Sequence, residues 1–241
     1  MYITAINKTT LLDYPNHLAS TLFLQGCNFL CPFCHNRELI APANTCADQN
    51  NIQGTILSTL RKRRHLIEGV CITGGEPTLH KDLEGLLHQI KALGLKVKLD
   101  TNGSNPKMLS RLLDNQLLDH VAMDIKNSPS EYERTCGCSI DIDAIASSLK
   151  LLTKYRRIDF SYELRTTLIS EFHTYAQLEA ITQWISTLGV APSTPWHLQK
   201  YVYSPMQINP TVYHCIEKET LTPWLESLSQ IHPTLSLRGY E

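Results

Sequence analysis

A chain of 241 residues with a formal net charge of −1 and 19% charged residues lacks the basic excess that a dedicated nucleic-acid binder carries. No apolar run of about 18 residues occurs, so no membrane span is expected. The opening MYITAINKTTLLDYP lacks the basic-then-apolar pattern of a secretion signal, so a cytoplasmic location is expected, where thiols stay reduced and clustered cysteines favour metal over disulfide.

Periodicity predicts a regular alternation along the chain. Residues 19–25 (ASTLFLQ) read as a first buried strand, 52–64 as a helix and 69–73 (GVCIT) as a second strand. Lys62, Arg63 and Arg64 close that helix, where cations complement its dipole. Leu83, Leu86, Leu87, Ile90 and Leu93 then recur at helical spacing, with Gly94 as a C-terminal cap. A third strand follows at 95–100 (LKVKLD), and Pro106 opens a helix carrying Leu109, Leu112 and Leu113 on one face. Residues 120–126 (HVAMDIK) form the fourth strand, and Ile142, Ile145, Leu149 and Leu152 mark a helix led by Asp141 and Asp143. Residues 160–167 make the fifth strand, 174–188 a helix and 196–202 the sixth strand. Strands alternating with helices of this length indicate parallel βαβ units. Six units are two short of a closed barrel, so the expected fold is α/β, a partial and open (β/α)6 barrel. A single domain is expected over 1–241, with its core at about 16–205. The extension 206–241 adds a helix near 220–231 and a short strand (LSLRG) covering one edge.

Alternation within strands carries functional content. Asp124 and Lys126 share one face of the fourth strand, opposite Val121, Met123 and Ile125. Glu163 and Arg165 share a face of the fifth, and Asp100 lies opposite Leu95, Val97 and Leu99 in the third. The apolar faces must meet the helices, so the charged faces point into the barrel. Closed barrels normally fill that space with branched apolar side chains. A charged lumen implies a polar guest, or else a mutual ion-pair network of Asp100, Asp124, Lys126, Glu163 and Arg165.

The loop after the first strand, LQGCNFLCPFCHN, places Cys27, Cys31 and Cys34 at the barrel end where such folds put their chemistry. Four thiolates are the usual way to hold a [4Fe–4S] cluster, and three leave one iron open for a ligand. A structural zinc would need a fourth ligand. His35 is adjacent to Cys34, but neighbouring residues rarely converge on one tetrahedral centre. The other cysteines, Cys46, Cys71, Cys136, Cys138 and Cys215, are scattered and read as ordinary thiols. In TGGEP (73–77) the glycines let a ligand approach backbone carbonyls, and those carbonyls with Glu76 can accept bonds from an ammonium.

The spacing Cys27-x3-Cys31-x2-Cys34, with Phe33 before the third cysteine and TGGEP after the second strand, resembles the radical S-adenosylmethionine (SAM) family. CHN after the triad, LDTNG (99–103) and AMDIK (122–126) are similar to the glycyl-radical-enzyme activases, and DYPNHLASTLFLQGCNFLCPFCHN, GVCITGGEPTL, GLKVKLDTNGSNP, VAMDIK and YELRTTL resemble in order and spacing those of anaerobic ribonucleoside-triphosphate reductase. The resemblance spans roughly 10–205, and DYPN stands where DYPG is more usual. It implies that Cys27, Cys31 and Cys34 hold a [4Fe–4S] cluster whose open iron SAM chelates. Phe33 and His35 would approach SAM, while Gly74, Gly75 and Glu76 would hold its amino end. Asp124 would take the ribose, Lys126 and Arg165 the carboxylate, and Gln199 the nucleoside. Asp100, Thr101, the Ala122 carbonyl and Asp124 match the ligands of a monovalent cation. Asn102 reads as a turn residue before Gly103. The implied reaction is reductive cleavage of SAM to a 5′-deoxyadenosyl radical, which takes a glycine α-hydrogen from a glycyl-radical reductase. Electrons would come from a flavodoxin- or ferredoxin-type donor. The competing expectations are an enzyme like 7-carboxy-7-deazaguanine synthase, acting on a small molecule, and a non-catalytic iron–sulfur electron carrier.

Overall fold

The structure of the protein, a computed structural model, describes residues 2–40 and 49–240; Cys46 lies outside them. Among the described residues eight strands form one sheet, ordered as they occur along the chain. β1 (Ile3–Thr10) runs antiparallel to β2 (Ala19–Leu24), and each later neighbour is parallel. Helix α1 (Gln49–Arg63) leads to β3 (Gly69–Gly74), α2 (Leu83–Lys91) to β4 (Lys96–Thr101), and α3 (Pro106–Asp114) to β5 (His120–Asp124). The short α4 (Tyr132–Cys136) and then α5 (Ile142–Lys154) lead to β6 (Ser161–Leu168). Next, α6 (Tyr175–Thr187) leads to β7 (Trp196–Lys200), and α7 (Lys218–Leu228) to β8 (Leu235–Arg238). Among the described residues no pairing joins β8 to β1, so the barrel is open.

All six expected units are present, with two additions. β1 carries almost no periodic signal, because only Ile3 and Thr10 of its eight residues are buried. It exists by pairing with β2, after a turn in which Asn16 takes the left-handed conformation at φ 62°. The expected edge-covering strand is β8, and it does more than cover. It continues the sheet as a seventh parallel strand, registered from Trp196 opposite Leu235 to Gln199 opposite Arg238.

The helices follow their apolar spacing. α2 buries Leu83, Leu86, Leu87 and Ile90, each worth about 1.5–3 kcal/mol of burial. α3 begins where the Asn105 side chain accepts from the Met108 N–H, and Pro106 tolerates the first turn because no backbone donor is needed there. Asp141 caps α5 by accepting from the Ala144 N–H at 3.1 Å. These helices cover Val97, Leu99, Val121, Met123 and Leu164, all fully buried.

The opposite faces of β4, β5 and β6 carry the charges, and they divide into two groups. Toward the strand ends, Asp100, Asp124, Lys126 and Arg165 pair with one another, joined by Lys98. Glu163 leaves the expected network. Its carboxylate turns to His197 at 3.4 Å, Arg238 at 3.6 Å and His120 at 3.7 Å. Two residues along a strand move a side chain by one full pleat, which puts Glu163 nearer the strand starts than Arg165.

Candidate active site

The ends of β3, β4 and β5, with the loop that follows β2, enclose a cavity of about 200 Å3. One wall is the cysteine loop: Cys27, Cys31, Phe33 and Cys34. The opposite side is formed by Gly74, Gly75 and Glu76 after β3, Thr101 and Asn102 after β4, and the charges Asp100, Asp124, Lys126 and Arg165. Residues from four consecutive strands and one loop thus meet at the C-terminal edge of the sheet.

The three thiols differ in how their surroundings treat a negative charge. Burial pushes the Cys27 thiol up to about 12 and raises that of Cys34. Cys31 goes the other way, because the neighbouring Cys136 thiol lowers it more than burial raises it. Thiols must lose their protons to bind iron, so filling this wall releases protons. Among the described residues no three His, Cys, Asp or Glu side chains converge as a single metal ion requires. His35 is exposed, with its ring 5.9 Å from that of Tyr201. Three thiols on one wall, facing a pocket of mixed charge, fit the donor set of an iron–sulfur cluster with a polar organic ligand beside it.

The glycines of TGGEP are held to their identity by the backbone around them. Gly74 sits at φ 126°, and a Cβ there would stand 2.2 Å from the Leu24 carbonyl oxygen. A Cβ on Gly75 would stand 2.1 Å from the Gly26 carbonyl oxygen. The Gly75 N–H donates to Leu24 at 2.8 Å and the Glu76 N–H to Gly26 at 2.7 Å, while the Gly26 N–H donates to Leu39 at 2.6 Å. The cysteine loop is thereby stitched to the turn after β3. Ligand approach is the reason read from sequence; main-chain crossing is a nearer one.

Glu76 is wholly buried and serves as an organiser of the neighbouring turns. Its carboxylate accepts from the Thr78 N–H at 3.0 Å, the Thr101 hydroxyl at 2.8 Å and the Asn102 N–H at 2.6 Å, and also from the Thr78 hydroxyl. Burial raises its pKa, and these donors oppose that rise. Asn102 is therefore more than a turn residue: it also lines the cavity and reaches the Asn28 side chain at 3.0 Å.

On the charged side, Asp124 bonds Lys126 at 2.8 Å and Arg165 at 3.0 Å. Arg165 also reaches Asp100 at 3.3 Å, and the buried Lys98 pairs with Asp100. Burial alone would lower Lys126 and Arg165, but the carboxylates hold both above their ordinary values. Three cations thus face two carboxylates, leaving one positive charge in excess. Burial would raise Asp124, yet Lys126 and Arg165 prevail and hold it at about 2, below the ordinary 3.8. A folded value below the unfolded one gives stability present in full above the unfolded pKa and lost as pH falls toward 2. The shift corresponds to about 2 kcal/mol. The urea midpoint of the wild-type protein is therefore expected to fall more between pH 4 and pH 2 (roughly the span of the two pKa values) than that of D124N; parallel declines would refute the pairing.

Of the residues singled out from sequence, the cavity brings together Cys27, Cys31, Cys34, Phe33, Gly74, Gly75, Glu76, Asp100, Thr101, Asp124, Lys126 and Arg165. His35, Ala122 and Gln199 do not line it. Ala122 pairs with Asp100 in the β4–β5 register, and Gln199 lies on β7 opposite Thr167 and Arg238. Two participants escaped the sequence reading. Lys98 had a readable signal, since it shares its strand face with Asp100; Cys136 had none, because its approach to Cys31 is purely tertiary.

The model of the radical SAM superfamily matches residues 21–181. Two proteins of Methanocaldococcus jannaschii, provisionally named glycyl-radical enzyme activating enzymes, are similar along most of their length. One is 29% identical over 185 residues, covering 76% of this chain and 75% of that protein. The other is 28% identical over 205 residues, covering 83% and 70%. Among solved structures, a radical SAM methyltransferase from Sphaerobacter thermophilus superposes with a TM-score of 0.70 at 13% identity, covering 93% of this chain and 67% of that one; the likeness is one of fold. Since the family match runs from β2 into α6 and takes in every wall of the cavity, the chain belongs to the radical SAM superfamily, enzymes that use a [4Fe–4S] cluster and SAM.

Proposed function

We propose that this protein is an activase that installs a glycyl radical in a partner enzyme, and that the partner is an anaerobic ribonucleoside-triphosphate reductase. The observation that carries the reading is the reach of the likeness to the two named activating enzymes, which covers three quarters or more of this chain. The CHN, DTNG and MDIK segments add to it, and the order and spacing of GVCITGGEPTL, GLKVKLDTNGSNP, VAMDIK and YELRTTL, which resemble the activating proteins of that reductase, support the choice of partner.

When bound, the cluster and SAM supply one-electron cleavage of SAM and removal of a hydrogen atom from the substrate. The chain's own residues bind and orient. Cys27, Cys31 and Cys34 hold the cluster. Phe33, which is buried against Phe172, gives the cofactor an apolar surface and excludes water. The turn at Gly74, Gly75 and Glu76 takes an amino group. The excess cation among Lys98, Lys126 and Arg165 balances a carboxylate, with the Arg165 fork suited to it. Asp124 is kept ionised by those cations and can accept from ribose hydroxyls. Asp100 and Asp124 are already balanced by basic side chains, so we place no monovalent cation there. His35, Ala122 and Gln199 lie outside the lining of the cavity.

Electrons come from a flavodoxin- or ferredoxin-type protein, and the work is anaerobic because oxygen attacks both cluster and radical. The test is to mix reduced, cluster-loaded protein and SAM with the candidate reductase and record electron paramagnetic resonance spectra. A glycyl-radical doublet on the reductase is expected. Cleavage of SAM without a doublet, together with turnover of a purine precursor, would assign the protein to small-molecule chemistry instead. A loaded cluster that never cleaves SAM would mark an electron carrier.

A further inference from the structure

Asp124 and Lys126 reach the cavity from the point where β5 leaves its ladder. The β5–β6 register ends with Asp124 opposite Arg165, so Lys126 lies beyond the paired strand. Side chains from other elements hold the main chain there. The Tyr132 hydroxyl of α4 donates to the Asp124 carbonyl at 3.4 Å, and the Thr166 hydroxyl of β6 to the Ile125 carbonyl at 2.8 Å. The Asn127 amide donates to the Phe172 carbonyl and the Thr135 hydroxyl, both at 2.9 Å. The Lys126 carbonyl is met at 2.9 Å by Nε2 of His173, a buried residue of the loop between β6 and α6.

The tautomer of that imidazole follows from its partners. A carbonyl only accepts, so Nε2 must carry a hydrogen. Nδ1 lies 3.2 Å from both the N–H and the carbonyl oxygen of Ile169. That carbonyl already takes the N–H groups of Phe172 and His173, at 3.0 Å and 2.8 Å. Nδ1 therefore accepts from the Ile169 N–H, and the ring is neutral. Burial, which lowers its pKa, acts in the same direction. His173 thus ties the end of β6 to the main chain of Lys126, whose ammonium stands 2.8 Å from Asp124. We infer that His173 is a positioning residue: by donating from Nε2 to the Lys126 carbonyl, it sets the Lys126 ammonium where the carboxylate of SAM binds. The inference rests on the reading of Lys126 as a carboxylate partner and is independent of which substrate the enzyme serves.

Asparagine and glutamine divide the imidazole between them. In H173N the amide oxygen stands in for Nδ1 and keeps the Ile169 side. In H173Q the longer side chain carries its amide nitrogen near the position of Nε2 and keeps the donor to Lys126. Each variant leaves one buried backbone group unpaired, so both are expected to lose similar stability. SAM binding separates them. Anaerobic calorimetric titration of oxidised, cluster-loaded protein, which does not cleave SAM, is expected to show affinity about tenfold weaker in H173N and within about twofold of wild type in H173Q. The KM for SAM in 5′-deoxyadenosine formation is expected to follow, with kcat unchanged at saturating SAM. Equal affinities in the two variants, whether both normal or both weakened, would reduce His173 to a packing residue. K126M tests the assignment beneath: wild-type affinity there would refute Lys126 as the carboxylate partner and remove the basis of the inference. Weak binding in K126M beside normal binding in H173N would overturn the inference alone. Should neither His173 variant fold, the nitrogen chemical shifts of the imidazole in wild type carry the test. A hydrogen on Nε2 with Nδ1 bare is expected, and a hydrogen on Nδ1 alone would overturn the role.

Discussion

Replacing Cys31 with alanine is expected to yield a folded protein that assembles no stable cluster and cleaves SAM at no more than the background rate. Cys31 is the middle cysteine of the loop, and its carbonyl accepts from the Cys34 N–H at 2.9 Å, so the backbone turn survives loss of the sulfur. Two thiolates remain, and a cluster already short of one protein ligand would then lack two. The cofactor carries the chemistry, and enzymic accelerations begin at about 10^6-fold, so its absence takes the rate below detection. Iron and sulfide analysis after reconstitution, with assay of 5′-deoxyadenosine, measures both effects. A full complement of iron in C31A would remove the ligand assignment and the functional reading with it.

The largest expected effect on stability belongs to G74A. The substitution meets two independent penalties. A side chain at φ 126° is strained by about 1–2 kcal/mol, and the new Cβ would lie 2.2 Å and 2.3 Å from main-chain atoms of Leu24, in the neighbouring strand. Backbone in a paired strand cannot swing aside as a flexible side chain can, so overpacking adds about 1–3 kcal/mol. A loss of about 2–5 kcal/mol is expected, lowering the melting temperature by about 10 °C for a chain of this size. Gly94 is the control: it has φ 79° but no neighbour within 4 Å of a built Cβ. G94A is expected to show the conformational penalty alone. Equal losses in the two variants, read from urea midpoints at unchanged slope, would show that the close approach of β2 to β3 is not what requires glycine.

Much of this was legible because periodicity and burial coincide in the middle of the chain. Val97 and Leu99 face helices while Asp100 faces the lumen, so alternation alone located one wall of the cavity. The cysteine loop was legible for a chemical reason: three thiols so close in sequence have few other uses. What escaped notice lacked a local signal. β1 exposes most of its side chains, and its strand character comes from pairing with β2. Glu163 and Arg165 share a face, but strand direction alone did not show that one belongs to the cavity and the other to a cluster with His120, His197 and Arg238. Glu76 reads from sequence as a ligand-facing acid, yet its bonds run to Thr78, Thr101 and Asn102. Thr78 is local to it, and the folded turn after β4 supplies Thr101 and Asn102. Cys136 lies far from Cys31 in the chain, and no spacing rule links them.

The bonds from Gly75 to Leu24, from Glu76 to Gly26 and from Gly26 to Leu39 involve no side-chain atoms. The span between thiol wall and glycine turn is consequently a dimension of the skeleton, insensitive to which residues decorate the mouth. A lineage with this arrangement can alter surface positions while that interval stays as it was.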